Sequence, residues 1–222
     1  MLNHTADHTL ADTDHRFYSG ISWIIALAVI AGFSKALIRH EFDESVLNST
    51  FTRAHAVIFL SWIALFVTQT TLIATRQPLA HMRLGRLGAA LVGAIAIMSI
   101  ISTVLSFRHG EGKLFWQDPH AEVFAFLVLA IFGLIARHKR ETHKRLMLIA
   151  TVSLIGAAII HLPFLQRLHP QAYVFVQDSF IVAGIVYDVA TRRRIHPAYL
   201  WGGLLLLATQ YLVSQPLPMI RS

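Results

Sequence analysis

Apolar residues gather in seven stretches separated by short polar turns: Tyr18–Ile38, Ala54–Thr75, Leu87–Phe107, Ala121–Ala136, Leu146–Phe164, Ala172–Ala190 and Ala198–Val213. A hydrocarbon core about 30 Å thick takes about 20 apolar residues of helix, each rising about 1.5 Å. Most of the stretches reach that length; the fourth and seventh are shorter. The pattern predicts an all-α fold, a polytopic transmembrane helical bundle of about seven helices with a four-helix core drawn from the second to the fifth. Residues 1–17 read as a polar, solvated N-terminal tail, 18–213 as the transmembrane domain and 214–222 as a C-terminal tail. Gly88-Ala89-Ala90, Gly93-Ala94 and Gly156-Ala157-Ala158 offer small-residue faces along which helix backbones can approach closely. Asp118-Pro119 and His196-Pro197 are helix starts, with proline at the first helical position. Trp23, Trp62, Trp116, Tyr187, Tyr199 and Trp201 are expected at the membrane interfaces.

Composition supports lipid as the solvent. Hydrophobic residues make up 55% of the chain and charged ones 14%, against roughly 25% charged in soluble domains. The net charge of +7 lies mostly in the turns, where basic residues set topology and meet lipid headgroups rather than nucleic acid. Twelve of the 19 Lys and Arg residues fall in the N-terminal tail and in the second-third, fourth-fifth and sixth-seventh connectors. The positive-inside rule then predicts a multi-pass protein of the cell membrane, the inner membrane of a bacterium, with its N-terminus in the cytoplasm. The first apolar stretch reads as a retained helix rather than a cleaved signal, because the preceding tail is acidic. With no cysteine, the chain forms no disulfide, thiolate metal site or covalent heme link. HExxH, GxSxG and phosphate-loop motifs are absent, and the seventh stretch lacks the lysine a retinal Schiff base needs.

The histidines carry a repetition. His55 opens the second apolar stretch and His81-Met82-Arg83-Leu84 introduces the third; His120 opens the fourth and His143-Lys144-Arg145-Leu146 introduces the fifth. The intervals between the paired histidines are 26 and 23 residues. Two such helix pairs span residues 54–166 and place His55 and His120 near one membrane face and His81 and His143 near the other. Neutral imidazole ligates iron well, and two histidines on facing helices hold a b-type heme between them. Heme iron held by His55 with His120, and by His81 with His143, would give an electron route across the membrane. Phe59, Phe66, Phe124 and Phe126 are candidates to pack against the macrocycles.

On these four histidines the chain resembles the transmembrane di-heme cytochrome b proteins of the ascorbate-reducible type. His81-Met-Arg-Leu-Gly and His143-Lys-Arg-Leu-Met-Leu are also similar to segments of bacterial multi-span families related to a cytochrome-oxidase heme-insertion factor. The resemblance implies heme b as cofactor, a respiratory-chain or other redox partner, and a role in electron transport or heme handling. An interfacial histidine beside Arg or Lys also serves plainly as a headgroup contact or helix-end hydrogen bond. Membrane lipids are expected neighbours in either case.

His161 and Asp178 stand apart, since both lie inside apolar stretches. Ionisable groups there are costly and point into the bundle, paired. They suggest a proton relay or the site of a proton-coupled transporter, or a hydrogen bond that fixes helix register. Asp188 with Arg192, Arg193, Arg194 and His196 forms a charged cap suited to anchoring a helix end or meeting an anionic group. A membrane assembly factor without catalytic function is the remaining alternative.

Overall fold

The computed structural model describes residues 2–38, 50–108, 120–168 and 172–214. Among them every regular element is helical: α1 Leu2–Ile38, α2 Thr50–Ala74, α3 Pro78–Arg108, α4 His120–Ile135 with a 3-10 turn at Ala136–His138, α5 Arg140–Leu154, the single turns α6 Gly156–Ile159 and α7 Pro163–Gln166, α8 Ala172–Arg192 and α9 Pro197–Ser214. Asp118-Pro119, Trp116 and the side chains of His4, His8 and His120 lie outside the described residues.

Five helical segments are long and apolar enough to cross a bilayer: Asp12–Ser34, Thr50–Ala74, Pro78–Leu105, Ala121–His138 and Ala172–Arg192. Their outward surfaces are apolar, with Trp23, Ile24, Leu27 and Ile30 exposed on α1 and Ile97, Ile100 and Ile101 on α3. Water would not tolerate apolar surface on this scale, whereas lipid requires it. The chain is a multi-pass membrane protein of helical type.

The seventh stretch forms α9. The fifth does not run through as one helix, and the interruption has a visible cause. The Val152 carbonyl accepts a hydrogen bond from Gln177 Nε2 at 2.8 Å as well as one from the Ile155 N–H at 3.3 Å. A side chain entering the ladder in this way bends or ends a helix. Pro163 then imposes an extended conformation on Leu162 (φ −68°, ψ 125°) before the turn of α7.

Burial centres on α5, in which Arg145, Leu146 and every residue from Leu148 to Leu154 are buried. It packs against α4, α8 and α9, and touches α1, while α2 and α3 lie on the flank between α1 and α4. The core is therefore drawn from both ends of the chain as well as from the segment 54–166. Trp62, expected at an interface, is instead 2% exposed: it meets Phe126 edge-on at 4.8 Å and donates to Thr151 Oγ1 at 3.3 Å. Tyr199 is likewise buried, whereas Trp23 and Trp201 face outward as expected.

The N-terminal tail also departs from expectation. α1 begins at Leu2, well before the first apolar stretch, and Asp14 is 7% exposed. The tail helix is held because its carboxylates find cations: Arg76 Nη2 donates to both Asp12 oxygens at 3.1 and 3.2 Å, and Asp14 enters the network described below.

Candidate functional sites at the two ends of the bundle

Chain direction brings the start of α1, the α2–α3 turn, the α4–α5 turn and the α8–α9 turn to one end, which carries most of the basic residues. Helical spacing aligns Glu141, Lys144, Arg145 and Leu148 on neighbouring rows of α5. Arg145 is wholly buried. Its Nε donates to Asp188 Oδ2 at 2.8 Å, Nη2 donates to Asp188 Oδ1, and Nη1 donates to the Glu141 carbonyl at 2.7 Å and to Glu141 Oε2 at 2.8 Å. Asp14 Oδ2 accepts from Lys144 Nζ and Arg192 Nη2, each at 2.5 Å, and Asp14 Oδ1 accepts from Tyr187 Oη at 2.7 Å.

Each cation of this network also rests near a tyrosine ring: Lys144 at 5.3 Å from Tyr18, Arg145 at 5.8 Å from Tyr199 and Arg192 at 5.9 Å from Tyr187. Tyr18 and Tyr199 join through their hydroxyls at 3.2 Å, and Phe17 stacks on Tyr187 at 4.0 Å. Three cations meet three carboxylates, Asp14, Glu141 and Asp188, so the set is neutral as a whole. Burial works against the Glu141 carboxylate, but hydrogen bonds from Lys144 and Arg145 hold it below its ordinary range. Asp188 is thus part of a closed tie between α5 and α8. Arg193 and Arg194 are exposed beside it, and Arg193 takes a left-handed conformation (φ 57°) as α8 ends.

At the same end His81 opens α3 and His143 opens α5, both half-buried. Their ring centroids stand 6.3 Å apart with the planes at 84°. His143 Nδ1 sits 2.7 Å from the Gly133 carbonyl, which fixes the ring and leaves Nε2 for another partner. The Gln69 backbone approaches the His81 ring, yet His81 Nδ1 is buried with no hydrogen-bond partner among the described residues.

The other predicted residues fall elsewhere. His55 is exposed on α2, and the side chain of its expected companion His120 is outside the described residues. Phe66 and Phe126 are core residues, Phe59 packs edge-on against Phe33 at 5.8 Å, and Phe124 is exposed. His161 is half-buried in the link after α6, and Asp178 Oδ1 accepts from Gln210 Nε2 at 3.2 Å.

The opposite end contains a polar cluster that the sequence did not single out. Glu122 of α4, Gln177 of α8 and Gln210 of α9 are all buried. Gln177 Nε2 reaches Glu122 Oε2 at 3.5 Å, and Gln210 Nε2 reaches Gln177 Oε1 at 3.4 Å. Gly156 forms the wall, because a Cβ built there would stand 2.6 Å from Glu122 Oε2 and 3.1 Å from Gln177 Oε1. Glutamines inside otherwise apolar stretches were the available signal.

The chain matches no family model, no curated protein sequence and no solved structure.

Proposed function

We propose that His81 and His143 are the axial ligands of a single b-type heme at the basic end of the bundle, and that the protein works in membrane electron transfer or heme handling. The observation that carries this reading is the spacing of the two rings. Two metal–nitrogen bonds of about 2 Å, with about 1.2 Å from each nitrogen to its ring centre, require centroids about 6.4 Å apart; the observed separation is 6.3 Å. The angle between the rings is unrestricted, since each turns about its own metal–nitrogen axis.

Two further features favour heme over a bare ion. No group of three or more His, Asp or Glu side chains placed to hold a metal ion occurs among the described residues. Two imidazoles leave zinc two ligands short of the usual four, whereas heme iron brings four equatorial nitrogens with it. The buried Nδ1 of His81 has an unmet demand for a partner, and the Gly133 carbonyl orients His143 as outer-shell acceptors orient metal-bound histidines. Exposed Arg83, Arg86, Arg137 and Arg140 near the same turns offer charge for the heme propionates. A second heme, needed for a route across the whole membrane, would fall to His55 and His120.

The test is the absorption spectrum of the full chain purified from heme-sufficient cells, repeated after adding hemin. The expected result is a Soret band with a low-spin bis-histidine pattern, lost in both His81→Ala and His143→Ala. A folded protein that shows no such band, or variants that both keep it in full, would overturn the reading.

A further inference from the structure

A groove of about 850 Å³ opens where α2 ends and α3 begins, lined by Thr68 and Leu72 of α2, Arg76 of the turn, and Leu79, Arg83 and Leu84 of α3. Thr68 lies six residues before Ala74, the last residue of α2, so the groove descends about 9 Å along that helix into its apolar span. The three leucines supply an apolar wall. Side chains on a helix lean toward its N-terminus, which directs Arg83 back toward the turn and Arg76. Among the described residues no carboxylate lines the groove.

Helical spacing separates this groove from the histidine pair. Leu79 and Arg83 are four residues apart and share one face of α3, whereas His81, two residues from each, falls on a different face.

The charge at the groove is not spent within the protein. Lys144, Arg145 and Arg192 are taken up by the carboxylates of the closed network. Arg83 makes no ion pair among the described residues. Arg76 uses Nη2 alone, on the two Asp12 oxygens at an exposed surface, and its Nε and Nη1 have no partner among the described residues. Basic pockets between membrane helices take anionic headgroups, and long cationic side chains near helix ends hold their charge at headgroup level. A soluble anion would leave the leucine wall bare, and an uncharged lipid would leave the arginines unmatched.

We propose that this groove binds one anionic phospholipid, with its phosphate between Arg76 and Arg83 and the start of an acyl chain along Leu72, Leu79 and Leu84. The site is independent of the heme reading.

Native mass spectrometry of the full chain in detergent tests the proposal, with phosphatidylglycerol, phosphatidylcholine of the same acyl chains, and glycerol 3-phosphate as the probes. One basic residue at headgroup level favours an anionic lipid about fivefold. Two predict a single phosphatidylglycerol held at least about tenfold more tightly than phosphatidylcholine. That preference is expected to fall below about threefold when Arg76→Gln and Arg83→Gln are combined. Thr68→Trp fills the deep end of the groove and keeps both arginines. Thr68 is exposed and its hydroxyl bonds within its own helix, to the Ala64 carbonyl, so this variant should fold and should bind phosphatidylglycerol several-fold more weakly. Equal retention of the two lipids, a preference unchanged in the double variant, or undiminished binding by Thr68→Trp overturns the proposal. Glycerol 3-phosphate bound as tightly as the lipid also overturns it, since the ligand is then a soluble phosphate. The Soret band, read on the same wild-type samples, keeps failure of this site distinct from failure of the heme.

Discussion

Around Arg145, three cations and three carboxylates close on one another and each cation also covers a tyrosine ring; around Glu122, four amide N–H bonds are spent and two acceptors are left over. Both clusters are buried and both join helices distant in sequence. The first is complete within the protein, and a complete network serves to fix α1, α5, α8 and α9 in one arrangement. The second is incomplete among the described residues, so its two buried acceptors carry a desolvation cost that the first cluster avoids.

The most severe test of this contrast is Arg145→Met. Removing one partner of a buried ion pair leaves the other charge uncompensated and costs about 3–5 kcal/mol. Asp188, itself fully buried, would be that stranded charge. Most of the folded protein is expected to be lost, as read by thermal unfolding and yield in detergent. The double variant Arg145→Met with Asp188→Leu should recover much of the loss, since no charge is then stranded. If Arg145→Met alone is as stable as the wild type, the basic end is not the closed tie described above.

A smaller pair of changes compares the two ends directly. Asp14→Asn removes the carboxylate shared by Lys144 and Arg192 and is expected to cost about 1–3 kcal/mol, the range for losing a buried partner of a charged group. Glu122→Gln places an amide, with two donors, in a site that lacks donors. Its stability is expected to stay within about 1 kcal/mol of the wild type or to rise. Equal losses in the two variants, measured by chemical or thermal unfolding, would erase the distinction between a filled and an unfilled network.

Hydropathy made the helices and their membrane setting legible, because apolar runs of bilayer length have few other uses. The repeated His-x-Arg-Leu turns led to His81 and His143, and the structure brings those two rings together. Arg145 was hidden by its neighbours: in the run from His143 to Arg145 it counts as one more headgroup anchor. Helical spacing held the missing signal, because Arg145 shares a stripe with the buried Ile149 and Val152. Glu122 was obscured by its place in the first turn of a helix, where an acidic residue is ordinary. Gln177 and Gln210 carry no formal charge, so neither stands out as an ionisable group inside its apolar stretch. Asp14 fell in what read as a solvated tail, and only tertiary contacts with α5 and α8 reveal its role.

The mildest expected effect is the response of the basic end to acid. His196 precedes Pro197 and accepts the Ala198 N–H on Nδ1 at 3.1 Å, so it caps α9 with an unprotonated ring nitrogen. Burial, and then the nearby charge of Arg145, push its pKa below 6.5. A basic group with a lowered folded-state pKa contributes stability above its unfolded value and loses it as pH falls through that value toward the folded one. Glu141 has the same sign in a lower window: its carboxylate, held below 4.5, contributes above that pH and loses its contribution as acid protonates it. Stability should therefore decline in two steps, the first starting near pH 6.5 and the second below about pH 4.5. His196→Asn keeps a side-chain acceptor for the Ala198 N–H and removes the titrating ring. In Tm measured across pH, it should make the first step shallower, leaving the share of His143, whose pKa burial also lowers, and it should leave the second step in place. A first step that persists unchanged in His196→Asn would assign the upper window to a group other than the α9 cap, and would separate acid sensitivity from the closed network around Arg145.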